Sequence, residues 1–157
     1  MGVQRLEPSL AVGSGHLAGP PLRDQDHRDM AVASAAAAAI GAIDAGQGAI
    51  VADGLVLALE AQEGTDAMLG RIPSLSPVVR GAPGDRRGVL VKRPKSRQDR
   101  RVDLPVIGPR TIDLAHQAGL AGVAVETGGA LVVDRPQTLE RCRDRAVFLF
   151  GFAPDGP

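Results

Sequence analysis

The sequence contains no tryptophan and no tyrosine, and its three phenylalanines all lie near the C-terminus, at 148, 150 and 152. A base-stacking platform of the single-strand-binding kind cannot be built from that set. Net charge is missing as well, with 18 Lys and Arg against 18 Asp and Glu. Wholesale binding to nucleic acid or to an anionic membrane surface is therefore not the default, and only a local basic patch could serve such a role. Cysteine is reduced to Cys142. A single thiol rules out a disulfide framework and a cysteine-based zinc site, and it fits a reducing compartment. The first residues, MGVQRLEPSL, lack the apolar centre of a signal peptide. The longest apolar run, residues 35–43, is alanine-rich and stopped by Asp44. It falls short of the roughly 18 residues that a membrane span needs. The expectation is a soluble, cytoplasmic protein.

What is present suffices for one domain with its own core: 157 residues, 44% of them hydrophobic. Residues 1–25 scatter Gly, Pro and Ser without a period and read as an irregular arm that packs only in part, the end of a connection from something upstream. The domain proper is expected over residues 26–153. Residues 26–43 predict a helix capped by Asp24 or Asp26, with Asp29 favourable in its first turn and an alanine-rich body for close packing. Residues 49–52 and 55–59 flank Asp53-Gly54, the signature of a hairpin with a type I′ turn. Both arms are almost continuously apolar and are expected to be covered on both faces. Thr65 is placed to cap a short helix over residues 66–71. Residues 72–87, with three prolines, read as a mobile surface loop or lid, or equally as a tolerated insertion with no role. A strand over 88–92, a helix over 111–118 with Gly119 as its cap, a strand over 122–126 and a turn at 127–129 follow. Residues 130–133 are expected to pair back on the preceding strand. Pro136 suits the first position of a helix over 137–145, and 147–152 is the last strand. Interleaved strands and helices give an α/β or α+β domain with a mixed sheet and about four helices.

Charge gathers in two loops, each fed by an apolar strand. The first holds Glu60, Glu63, Thr65 and Asp66; the second holds Lys92, Lys95, Arg97, Asp99, Arg100, Arg101 and Asp103. Carboxylates suit a hard cation such as Mg²⁺, which needs one or two of them beside substrate phosphate. Arg forks and Lys point charges, including Arg110, suit phosphate oxygens. Asp99, Arg101 and Asp103 would share one face of an extended segment. Together these residues point to metal-assisted phosphoryl chemistry. A solvated charge run and an N-capped surface helix explain the same residues without chemistry. No GxGxxG or Walker sequence occurs. His16, His27 and His116 stand at no metal spacing, and Cys142 has no histidine near it in sequence.

Three ordered blocks carry a resemblance: GAIDAGQGAIVADGLVLALEAQEGTDAML, GVLVKRPKSRQDRRVDLPVIGPRT and AGLAGVAVETGGALVVDR. Over residues 20–153 the chain resembles the C-terminal domain of the UDP-2,3-diacylglucosamine pyrophosphatase family of the LpxI type. The resemblance implies Mg²⁺-dependent hydrolysis of UDP-2,3-diacylglucosamine to UMP and 2,3-diacylglucosamine 1-phosphate (lipid X), a step of lipid A biosynthesis. The implied place is the cytoplasm of a Gram-negative bacterium, with peripheral contact at the inner membrane. The EGTDAM block is intact at residues 63–68, and Gln98, Asp99, Arg101, Asp103, Leu104 and Pro105 match the second motif. On that match Asp103, Asp99 and Asp66 are the expected catalytic and metal-binding residues. Lys92, Arg101, Thr65, Glu63 and Gln98 are the expected substrate-binding residues. Acyl chains would meet the alanine-rich helix. Family members carry an N-terminal nucleotide-binding α/β domain, so the resemblance implies a partner domain that this sequence lacks, and self-association stays open. The alternative to one half of a two-domain enzyme is a non-catalytic module that binds phosphoglycolipid.

Overall fold

The computed structural model describes residues 13–95 and 104–157. Within them the elements run β1 (Gly15–Ala18), α1 (Asp24–Ala42), β2 (Gly48–Ala52), β3 (Leu55–Leu59), α2 (Thr65–Arg71), β4 (Val89–Lys92), β5 (Val106–Ile107), α3 (Pro109–Gln117), β6 (Gly122–Glu126), β7 (Leu131–Val132), α4 (Arg135–Arg145) and β8 (Phe148–Phe152). The main sheet has six strands in the order β1-β8-β6-β4-β2-β3. Its centre, β8-β6-β4, is parallel, and β1, β2 and β3 join antiparallel, so the sheet is mixed. Each parallel step is closed by a helix, α3 between β4 and β6 and α4 between β6 and β8. Such crossovers are what parallel neighbours require.

The period of two sorts the core into layers. Ile50, Leu90, Val123, Val125 and Leu149 face a cluster with Met68, Ile112, Ala115 and Cys142 of the three shorter helices. Ala49, Val51, Val89, Val91, Ala124 and Phe148 face Met30, Ala33 and Ala37 of α1. The result is a single domain with helices on both faces of a mixed sheet. The small side chains Ala33 and Ala37 of α1 pack on the sheet, and at the helix end an added Cβ on Gly41 would lie 2.8 Å from the carbonyl oxygen of Lys95, three residues past β4. Among the described residues no helix is long and apolar enough to cross a membrane.

The Asp53-Gly54 hairpin forms as expected, with both residues at positive φ, 50° and 81°. Its stabilisation reaches further than the turn. Asp29 of α1 is buried, and its carboxylate accepts the Asp53 and Gly54 N–H groups at 3.0 and 2.8 Å. Gly119 closes α3 at φ 73°.

Several expectations are corrected. The N-terminal arm is not irregular throughout, because Gly15–Ala18 is an edge strand paired with β8. Helix α1 starts at Asp24 after Arg23, and Asp26 serves it from inside the first turn by accepting the Arg23 N–H at 2.9 Å. Gly64, not Thr65, precedes the first turn of α2. Strand β3 is not covered on both faces: it is the sheet edge, and Leu55, Val56 and Leu59 are exposed. Residues 130–133 do not fold back on β6. Leu131–Val132 pairs in parallel with β5, because β6 is already flanked by β4 and β8. Helix α4 begins at Arg135, so Pro136 is its second residue. The 72–87 segment is pinned rather than loose. Ile72 is fully buried, the Arg87 N–H donates to the Gly119 carbonyl at 3.0 Å, and a Cβ on Gly81 would sit 2.2 Å from that same oxygen.

Candidate functional site

The register brings four strand ends to one edge of the sheet. Gly48 stands opposite Lys92, Ala49 opposite Leu59, Lys92 beside Val125, and Glu126 beside Phe152. The carboxyl ends of β3, β4, β6 and β8 therefore share one rim. In open α/β sheets that rim is where ligands bind.

Two polar clusters occupy it. The first joins Glu60, Thr65 and Lys92. Glu60 follows β3 directly and is 6% exposed; Lys92 ends β4 and is also 6% exposed. Thr65 Oγ1 donates to Glu60 Oε2 at 2.6 Å and accepts from Lys92 Nζ at 2.5 Å. Glu60 Oε2 lies 3.8 Å from Lys92 Nζ, and Glu60 Oε1 accepts the Gln47 N–H at 3.2 Å. Burying a charge is costly unless it is paired and hydrogen-bonded, and each member of this cluster meets that condition through the others. Gly46 makes room for it, since a Cβ there would lie 2.0 Å from the Glu60 carbonyl oxygen.

The second cluster is centred on Arg93, the residue after Lys92. Its guanidinium donates to Ser34 Oγ at 2.8 Å, to Glu126 Oε1 at 3.1 Å and to the Pro154 carbonyl at 2.7 Å, and it lies over the Phe152 ring. Glu126 is fully buried. This cluster ties α1, β6 and the segment after β8 together at the same rim.

The remaining candidates fall into three groups. Glu63 is held within its own loop, accepting the Ala61 N–H at 2.7 Å and pairing with Arg71 at 3.5 Å. Asp66 pairs at 2.9 Å with Arg110, and both side chains are exposed. That pair uses a cation expected for phosphate and a carboxylate expected for metal. Gln98, Asp99, Arg101 and Asp103 lie outside the described residues, as do Arg97 and Arg100. Among the described residues no three His, Cys, Asp or Glu side chains converge as a metal site. Asp66 alone, engaged by Arg110, does not make one.

The histidines hold local structure. His16 bonds the Gly19 and Pro20 carbonyls, His27 meets the Phe150 ring edge-on, and His116 contacts Arg86. Burial pushes the Cys142 thiol up to about 12, which removes it as a nucleophile. Sequence reasoning placed Glu60 in the acidic loop without a role and missed Arg93 and Glu126. For Glu60 the available signal is its position, next to a strand and two residues past the inward-facing Ala58.

A family model described as the LpxI C-terminal domain matches residues 13–150. Over 115 residues the chain is 53% identical to the UDP-2,3-diacylglucosamine pyrophosphatase LpxI of Caulobacter vibrioides. The matched stretch covers 73% of this chain and 41% of that relative, so the chain spans less than half of the relative's length. With a match that runs from before β1 into β8 and takes in Glu60, Thr65, Lys92, Arg93 and Glu126, the chain belongs to the LpxI C-terminal domain family.

Proposed function

We propose that this chain is the diphosphate- and diacylglucosamine-binding half of a UDP-2,3-diacylglucosamine diphosphatase that releases UMP and 2,3-diacylglucosamine 1-phosphate. The observation that carries the reading is the placement of Lys92. It ends a buried parallel strand at the ligand-binding rim, held by Thr65 and Glu60, three residues before the segment that bears Asp99 and Asp103. The name of the Caulobacter relative supports the reaction class.

In this reading Lys92 and Arg101 bind the diphosphate, and Gln98 and Thr65 line the same site. Asp103 and Asp99 would hold a Mg²⁺ ion and orient the attacking water. Asp66 would join them by giving up Arg110. A bound cation would supply charge neutralisation on the diphosphate. Lys92 contributes a fixed positive charge that needs no reorganisation when negative charge moves onto the leaving phosphate. Arg93 and Glu126 hold the rim in place from the other side. The uridine half of the substrate is bound by an N-terminal partner domain, and the protein works in the cytoplasm at the inner membrane.

The test is calorimetric binding of 2,3-diacylglucosamine 1-phosphate to this chain, with and without Mg²⁺. Mg²⁺-dependent binding that is lost in Lys92→Ala is expected. Absence of binding under both conditions would contradict the reading. A second reading, a module that binds phosphoglycolipid without hydrolysing it, is favoured by the pairing of Asp66 with Arg110, which engages a carboxylate expected for metal. It predicts binding that survives Asp103→Ala together with no turnover by the unsubstituted chain.

A further inference from the structure

We infer that Glu60 is a positioning residue, which acts on the diphosphate through Thr65 and Lys92 rather than by touching it. The inference rests on the reading of Lys92 as a phosphate ligand.

The direction of the hydrogen bonds carries the argument. A threonine hydroxyl has one proton to give and two lone pairs to offer. A carboxylate only accepts, so Glu60 Oε2, 2.6 Å away, takes the Thr65 proton. What Thr65 then offers Lys92 is a lone pair, and the ammonium donates into it at 2.5 Å. The order of donation, Lys92 to Thr65 to Glu60, is fixed by the carboxylate at its end. With Glu60 removed, the Thr65 hydroxyl is free to turn its proton elsewhere, and the Lys92 acceptor is no longer assured.

Glu60 is itself fixed. It is 6% exposed, and its second oxygen accepts the Gln47 backbone N–H at 3.2 Å. It therefore cannot swing out to meet a ligand without leaving a buried donor unpaired. Its 3.8 Å distance from Lys92 makes it a counter-charge that keeps the ammonium at the rim but leaves it bonded to Thr65.

Two roles for Glu60 predict opposite signs. If it merely competed with phosphate for Lys92, Glu60→Gln would strengthen anion binding, since a repulsive charge disappears. If it positions Lys92, the same change weakens binding, because the amide neither fixes the Thr65 proton nor holds the ammonium. Thr65→Val separates the effects further: it removes the relay and leaves both charges in place.

The experiment titrates the full chain with inorganic pyrophosphate and follows the ammonium signals of isotope-labelled lysine by NMR. The chain has two lysines, Lys92 and Lys95, so each signal is identified by substitution of the other. The expected result is a Lys92 shift on adding pyrophosphate, with affinity falling roughly tenfold in both Glu60→Gln and Thr65→Val and restored in Thr65→Ser. Unchanged or stronger affinity in Glu60→Gln, with the wild-type shift present, would overturn the positioning role and leave the phosphate reading standing. No Lys92 shift in the unsubstituted chain would overturn the phosphate reading, and the positioning role with it. Should Glu60→Gln not fold, Thr65→Val alone decides, because unchanged affinity there breaks the relay argument.

Discussion

Glu60 and Lys92 face each other at 3.8 Å from the ends of two different strands, with the Thr65 hydroxyl bonded to both. Both side chains are over nine-tenths buried. Removing one partner of such a pair leaves the other charged and without its counter-charge. Lys92→Met should therefore destabilise the domain by about 3–5 kcal/mol. Adding Glu60→Gln to Lys92→Met should recover much of that loss, since the stranded charge goes with it. Urea unfolding of the two single variants and the double variant measures the coupling.

The Asp29 carboxylate should be worth more to the hairpin than the turn residues suggest. It takes both turn N–H groups of Asp53 and Gly54 and a third hydrogen bond from Gln25 Nε2 at 2.9 Å. Asp29→Ala leaves two backbone donors without their charged acceptor, at a cost of about 2–3 kcal/mol. Amide exchange at residues 53 and 54 should accelerate in the same variant. Unchanged protection there would show that the turn stands by its own conformation.

Acid should loosen the contact between α3 and α4. Burial would raise the Asp113 carboxyl, but hydrogen bonds from Arg141 and Arg145 outweigh it and hold the group below its ordinary value. A depressed carboxyl stabilises the fold above its unfolded value, near 4. That contribution is lost as pH falls through the folded value. Thermal unfolding across the acid range should show a steeper decline for the natural chain than for Asp113→Asn. Parallel curves would remove Asp113 as a source of acid sensitivity.

Cys142 should behave as a core residue. Its thiol is fully buried in the cluster with Ile112 and Leu149, and burial pushes it up to about 12. Labelling with iodoacetamide near neutral pH should therefore be slow in the folded chain and rapid in urea. Equal rates in the two states would mean that this layer of the core opens readily.

Local chemistry made the hairpin, the β4, β6 and β8 strands and the Gly119 cap legible, because each rests on residues within a few positions of one another. Pairing over distance was not legible in the same way. Leu131 and Val132 follow a Thr-Gly-Gly turn and look like the return arm of a hairpin, yet β6 has both edges taken. Nothing in a two-residue strand tells which partner remains open. The LVLAL run of β3 reads as buried because apolar residues are continuous there, whereas the sheet simply ends at that strand.

The site was partly legible for a related reason. Lys92 and Thr65 stood out by type and position, and the fold brings them together. Arg110 and Asp66 stood out as well, but they pair with each other at the surface. Glu60 stood out only as one of the acidic loop's carboxylates, and Arg93 and Glu126 were passed over, because charged residues at strand ends usually meet solvent. Only the burial of that rim shows that these three are enclosed or nearly so. The expectations for Gln98, Asp99, Arg101 and Asp103 rest on their motif alone, outside the described residues.

The central claim is that this rim acts on a diphosphate. The most direct measurement is release of UMP from UDP-2,3-diacylglucosamine by the chain, with Mg²⁺ and with a chelator. It should be run both alone and with the N-terminal part of the Caulobacter relative added. The account predicts chelator-sensitive release in at least the supplemented reaction, abolished by Asp103→Ala and strongly reduced by Lys92→Ala. No release in either reaction, or release indifferent to both substitutions, would contradict it.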